Sequence, residues 1–406
     1  MNARTKYKLS PRNHRMPRPG IMAIVALSII LIIVALAACQ PQPEGPYQAP
    51  PATGDGWTTA SLSEVGMDVK PINELLNLLS QPNGYDINSL LVVKDGKLVF
   101  EAYYPGQEGY LTDKIIFTPT NYDRDTEHCL ASSTKSFTSI MFGVAVDQGK
   151  ISNLDESLFD TFPDYSELSD IVKGKITLRD MLTMTSGLAW DESTYPYTDA
   201  RNNIVEMAFS PDPVRYMLEK HTITLPGASW FYNSGTVNLL GAVINRKTGT
   251  PLAKYAGEYL FKPLGITDYQ WTPFAHAPDM AIASSFLYLR PRDMAKVGQM
   301  MLQGGAWNGK QVVSAKWVKE STDASVQVAV DYGPGFQNTG YGYLWWRGTF
   351  TKGNTDAFYS AGYGGQFIFV MPGINAVVVM TGSNFDHPYN DMFNIVNQYI
   401  LGSIVK

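Results

Sequence analysis

Two apolar runs flank Asp95-Gly96 in "SLLVVKDGKLVFEAYY", Ser89 to Tyr104. Apolar runs on either side of an Asp-Gly pair predict a β-hairpin. "GQFIFVMPGINAVVVMTG", Gly365 to Gly382, repeats the pattern around Pro372-Gly373. Between these hairpins the apolar period changes from strand-like to helical. Phe137, Ile140, Met141, Val144 and Ala145 step by three and four, and Gly149 is a plausible stop. Met294, Val297, Met301 and Leu302 do the same after Pro291, and Met392, Ile395, Val396, Tyr399 and Ile400 predict a last amphipathic helix. The chain therefore reads as α/β of the α+β kind: one antiparallel sheet flanked by helices, interrupted by an inserted helical lobe. The sheet lobe is expected over about 57–160 and 310–406, and the helical lobe over about 161–309. No internal repeat is present.

The N-terminus carries a different pattern. Residues 1–20 hold Arg4, Lys6, Lys8, Arg12, Arg15 and Arg18 and no acid, and Ile21 to Ala38 hold no charge at all. A basic region followed by an apolar core reads as an export signal. The ending Leu36-Ala37-Ala38-Cys39 resembles the bacterial lipobox, which implies cleavage after residue 38 and lipidation of Cys39. An uncleaved membrane helix is the alternative, since the apolar run just spans a bilayer. Both readings place the rest of the chain outside a bacterial membrane. Residues 39–56, rich in proline and glycine, read as a tether, and 57–406 as the folded domain.

Composition sharpens this. The chain has 406 residues, 45% hydrophobic and 17% charged, a globular make-up. Setting aside the six basic residues of the leader leaves 26 Lys and Arg against 37 Asp and Glu, a net charge of −11. With no basic run left, a nucleic-acid partner is not expected. Cys129 is the second of two cysteines, so no disulfide framework is expected, and it reads as a small packed residue. The five histidines show no ligand spacing, so neither metal nor other cofactor is expected.

The candidate chemistry starts at "LASSTKSFTS", Leu130 to Ser139. Ser132 and Lys135 are three apart at a predicted helix start, so hydroxyl and ammonium share one face. This is either an ordinary polar helix start or a nucleophile beside its base. A serine needs a base to take its proton, and lysine serves if burial lowers its pKa. The helix N-terminus adds backbone N–H groups for a developing oxyanion. Ser-x-x-Lys alone is a weak signal, because Ser403 to Lys406 also matches. A second candidate is "PGASWFYNSGTVNLLGAVI", Pro226 to Ile244, where Tyr232 can relay protons and Ser234 follows two residues on. A third is "FYSAGYGGQFIFV", Phe358 to Val370, where glycines let a substrate approach a strand edge. Taken singly, a core-capping tyrosine and a simple turn explain these two stretches. Trp345-Trp346 reads as a structural pair, and Asp191 and Glu192 as solvated loop acids. The absence of Gly-x-Ser-x-Gly argues against an α/β-hydrolase.

Together these stretches resemble the serine β-lactamase-related family, which takes in class C β-lactamases, D,D-peptidases, esterases and 6-aminohexanoate-dimer hydrolases. "ITLRDMLTMTSGL", Ile176 to Leu188, "LFKPLGI", Leu260 to Ile266, and "LRPRDMAKVGQMML", Leu289 to Leu302, extend the likeness in order from about Leu91 to Asn384. The resemblance implies a β-lactamase/transpeptidase-like fold, Ser132 as nucleophile, Lys135 as its partner and Tyr232 as proton relay. It implies a substrate edge at Ser234, Ser360 and Gly362, with a second oxyanion N–H from Tyr363. Two positions depart from the family pattern. Tyr232-Asn233-Ser234 replaces Tyr-x-Asn, and Ser360-Ala361-Gly362 replaces Lys-Thr-Gly, without its cation. The missing charge argues against carboxylate-bearing substrates and for neutral small esters or amides. A β-lactamase or D,D-peptidase activity, or a non-catalytic binding lipoprotein on the same fold, are the alternatives.

Overall fold

Asp95 and Gly96 both take positive φ, 52° and 76°, and turn β1 (Ile87–Lys94) into β2 (Lys97–Tyr103), with Lys94 opposite Lys97. Left-handed backbone at both central residues matches the twist of the paired strands. The computed structural model describes residues 47–81, 85–112, 114–323, 325–385 and 388–404. The leader and Cys39 lie outside these residues.

Helix α1 (Val69–Leu79) precedes β1. After β2 a second hairpin, β3 (Pro105–Leu111) and β4 (Ile115–Asn121), stands apart from the main sheet. The short β5 (His128–Cys129) pairs with β6 (Leu287–Leu289). Helices α2 (Thr134–Asp147), α3 (Ser234–Thr248) and α4 (Pro291–Leu302) fill the middle of the chain. Then come β7 (Val326–Gln327), β8 (Phe336–Tyr341), β9 (Trp346–Phe350), β10 (Thr355–Gly362), β11 (Gln366–Met371) and β12 (Ala376–Gly382). These six run in order and β12 pairs with β1, giving an eight-stranded antiparallel sheet, β7-β8-β9-β10-β11-β12-β1-β2. The predicted Pro372-Gly373 hairpin is the β11–β12 connection.

Side chains of a strand alternate between faces, so a sheet covered on both sides buries every residue. All seven residues of β12 are buried. Val377 and Val379 join the core shared with α2, α3 and α4, while Val378 and Met380 join a second core with α1 and α5 (Asn390–Ile395). The predicted residues are buried, Phe137, Ile140, Met141 and Val144 in α2 and Met392 and Ile395 in α5, but α2 is buried on every face from Thr134 to Ala145 rather than along one stripe.

Two boundaries differ from the sequence reading. Helix α4, expected in the helical lobe, packs on the sheet. A Cβ on its Gly298 would come within 2.6 Å of Val377 and 2.8 Å of Ile368, so only glycine allows that approach. The described part of the expected tether, residues 47–56, is not a free spacer. Arg292, 4% exposed, binds Glu101 (2.7 Å), Asp55 (3.0 Å), Thr53 (2.7 Å) and the carbonyl of Pro51 (3.1 Å). A buried guanidinium needs its donors satisfied, and these residues satisfy them.

Candidate active site

The strand β5 hands the chain to a 3-10 turn, Ala131–Ser133, that runs straight into α2. Ser132 thus sits two residues ahead of the α-helix rather than inside its first turn, and keeps its three-residue spacing to Lys135. Ala131 takes φ 42°, a left-handed conformation uncommon for a residue with a side chain. Such local strain persists where surrounding contacts fix it. Here Gly362 at the end of β10 presses on the turn. A Cβ there would lie 2.3 Å from the carbonyl oxygen of Leu130 and 3.0 Å from the nitrogen of Ser133.

Lys135 Nζ lies 2.9 Å from Ser132 Oγ and 3.1 Å from the carbonyl oxygen of Ser284. That carbonyl is set by α3, because Asn238 Oδ1 accepts from the Ser284 N–H at 3.0 Å. Lys135 is 2% exposed. Burial, opposed by the negative charge of Glu192, brings its ammonium pKa down to about 8. The Lys135 ammonium also stands 4.9 Å from the centre of the Tyr232 ring. Tyr232 hydrogen-bonds to Ser132, but burial first and Glu192 second hold its phenol pKa well above 10. It therefore keeps its proton near neutral pH.

Tyr232 is aimed by its neighbours in the chain and in space. Asn233 caps α3, accepting from the N–H of Thr236 (3.0 Å) and donating to the carbonyl of Leu188 (3.1 Å). This ties the tyrosine to the Thr183–Leu188 stretch and gives that motif a physical role. Trp346 stacks on the Tyr232 ring, centroids 6.2 Å apart at 24°, and Trp230 packs beside it. Trp345 is buried, so the tryptophan pair is structural at one member and a backing for the tyrosine at the other.

The remaining expected site residues divide. Gly362 meets the nucleophile turn, and Tyr363 lines the cavity next to Ser132. Ser360 does not offer its side chain to a substrate. It is fully buried and pairs with Ser133 Oγ at 2.9 Å, while Ser133 also reaches the carbonyl of Gln366 at 2.7 Å. Alternation along β10 turns it toward the turn's underside. Ser234 is likewise fully buried, its hydroxyl without a partner, because it opens the first turn of a helix packed on all sides. Cys129 borders the cavity, and burial pushes its thiol up to about 12, so it is no competing nucleophile.

Sequence reasoning missed Glu192. Asp191 is exposed, as expected for a loop acid, but its neighbour turns inward. Glu192 accepts from the indole of Trp190, the N–H of Ser234 (3.3 Å) and the hydroxyl of Tyr197 (3.3 Å). It is the anion that faces both Lys135 and Tyr232. Replacing Glu192 by glutamine removes an influence that raises the Lys135 pKa. The acid limb of kcat/KM against pH should then move to lower pH. An unmoved limb would show that Glu192 does not act on the base.

A cavity of about 50 Å³ opens beside Ser132. No lysine or arginine is among the described residues that line it, while Glu108 is.

A family model described as Beta-lactamase matches residues 88–394. A protein of Escherichia coli strain K12, provisionally named a D-alanyl-D-alanine carboxypeptidase, is 24% identical over 366 residues, covering 72% of this chain and 82% of its own. Among solved structures, a provisionally named 6-aminohexanoate-dimer hydrolase from Bacillus anthracis superposes with TM-score 0.63 at 22% identity, covering 89% and 88% of the two chains. A family VIII carboxylesterase superposes with TM-score 0.59 at 17% identity, covering 83% and 99%. At these identities the structural likenesses speak for the fold.

Proposed function

The chain belongs to the Beta-lactamase family of serine hydrolases, and on that premise we propose that it cleaves neutral esters or amides through an acyl-enzyme on Ser132. The observation that carries this reading is the buried Lys135 ammonium, 2.9 Å from Ser132 Oγ and with its pKa lowered to about 8. In its neutral form Lys135 takes the Ser132 proton as Oγ attacks the acyl carbon. The backbone N–H groups of Ser132 and Tyr363 receive the oxyanion. Tyr232 protonates the leaving group and regains its proton from the Lys135 ammonium, so the neutral Lys135 can take a proton from water as it attacks the acyl carbon and hand it back to Ser132 Oγ as the acid departs.

Preference for neutral substrates is supported by the cavity lining, which offers no cation among its described residues. An anionic substrate would find no lysine or arginine in that lining to pair its charge. We place the enzyme outside the cytoplasm from the basic and apolar pattern of its leader, and lipid-anchored through Cys39 from the resemblance of Leu36-Ala37-Ala38-Cys39 to the lipobox. Among the described residues no helix is long and apolar enough to cross a membrane.

The test uses the full chain in detergent. p-Nitrophenyl butyrate should be turned over, and a fluorophosphonate should add once, at Ser132, by intact mass and peptide mapping. A D-alanyl-D-alanine peptide run in parallel should be cleaved far more slowly. Labelling elsewhere, or none, removes Ser132 as nucleophile; a preference for the peptide removes the neutral-substrate reading.

A further inference from the structure

One wall of the cavity beside Ser132 is made of aromatic rings that the proposed catalytic steps do not use. Phe117 of β4 packs on Phe385, centroids 4.1 Å apart. Phe385 packs on Tyr363 at 5.2 Å, and Tyr363 on Tyr197 at 4.9 Å. The four rings come from four separate stretches and form one continuous wall, and Ile115 and Phe286 are further apolar members of the lining. Edge and tilted ring contacts at these distances are cohesive.

The hairpin that supplies Ile115 and Phe117 is fastened in place. Glu108 of β3 is 4% exposed. One carboxylate oxygen accepts from the N–H of Gly109 (2.8 Å) and of Cys129 (3.1 Å), the other from the Tyr122 hydroxyl (3.0 Å). Cys129 lies three residues ahead of Ser132, so this carboxylate ties the hairpin to the strand that delivers the nucleophile. The Tyr288 hydroxyl donates to the carbonyl of Gly109 (2.9 Å), and Ser383 Oγ accepts from the N–H of Gln107 (2.7 Å). The wall is therefore built before a substrate arrives.

We propose that this cavity is the acyl pocket, and that the β3–β4 hairpin, through Ile115 and Phe117, limits it to short, uncharged acyl chains. The inference rests on Ser132 acting by acyl transfer. At about 50 Å³ the space is roughly a third of the about 150 Å³ cavity that holds benzene. By that ratio the space takes about two to three carbons beyond the carbonyl. A chain ending in a carboxylate would face Glu108, whose oxygens are already occupied.

The experiment measures kcat/KM of the full chain for p-nitrophenyl acetate, butyrate, hexanoate and octanoate, and for the p-nitrophenyl monoester of glutaric acid. Wild type should favour acetate or butyrate over octanoate by about tenfold or more, the scale of discrimination that a filled apolar pocket gives. The glutarate monoester should be worse than butyrate by at least as much. Phe117→Ala, and independently Phe385→Ala from the opposite stretch, should shift the optimum by two or more carbons toward longer chains. Two variants guard against one that merely unfolds, and each is checked by its melting temperature and by fluorophosphonate labelling of Ser132. If Ser132 labels but the chain-length profile is flat in wild type, unchanged in both folded variants, or absent because no ester is cleaved, the acyl-pocket inference falls alone. If Ser132 does not label, the acyl-transfer reading falls and takes this one with it.

Discussion

Lys135→Met should lower kcat/KM by about 10³-fold, the usual scale for removing a positioned base, and should at the same time make the folded chain more stable at pH 7. The two effects share one cause. Lys135 is 2% exposed, and its Nζ has Ser132 Oγ and the Ser284 carbonyl as hydrogen-bond partners. Burial pushes its pKa from 10.5 down to about 8. In the unfolded chain the lysine holds its proton up to about 10.5, so between 8 and 10.5 the unfolded state binds more protons and stability rises with pH. Below 8 the full cost of the buried charge applies, on the order of 3 kcal/mol. Methionine keeps most of the volume and carries no charge. Thermal unfolding at pH 7 should show a higher melting temperature for the variant, and the gain should shrink near pH 10. A difference in melting temperature between variant and wild type that does not change between pH 7 and pH 10 would show that Lys135 does not lose its proton in that range. In wild type the same titration predicts kcat/KM rising through about pH 8 toward a plateau, since the neutral amine is the active form.

Tyr232→Phe should separate substrates by their leaving groups. Burial and Glu192 hold the Tyr232 phenol well above 10, so it enters the reaction as a proton donor. An alkyl ester or an amide needs that proton and should lose about 10² to 10³-fold in kcat. A p-nitrophenolate departs without it and should lose only a few-fold. Phenylalanine keeps the ring between Trp230 and Trp346, so the cleft wall is retained. Comparing ethyl and p-nitrophenyl butyrate on wild type and variant reads the difference. Equal losses on both would assign Tyr232 to holding Ser132 rather than to the leaving group.

Part of this site was legible in the amino-acid sequence alone. Ser132 and Lys135 are three residues apart on a helical path, so their meeting is a local event. Asp95-Gly96 and Pro372-Gly373 set their turns for the same reason. Glu192 shows where local reading stops. It and Asp191 share chemistry and loop, and only packing of Trp190 and Tyr197 turns one inward and leaves the other in water. Ser360 shows the converse, a residue placed at the right strand whose side chain serves the turn beneath it.

Two hairpins, the long helices and the pairing of nucleophile with base follow from the order of residues alone, because period, turn residues and one-turn spacing act over a few residues. The tertiary structure decided the rest. It brought Phe117, Phe385, Tyr363 and Tyr197 into one wall, set Ser284 under Lys135 through Asn238, and laid residues 47–56 against Arg292. Those contacts join residues far apart in the chain, and they form only when burial of apolar surface outweighs the entropy of ordering the segments between them.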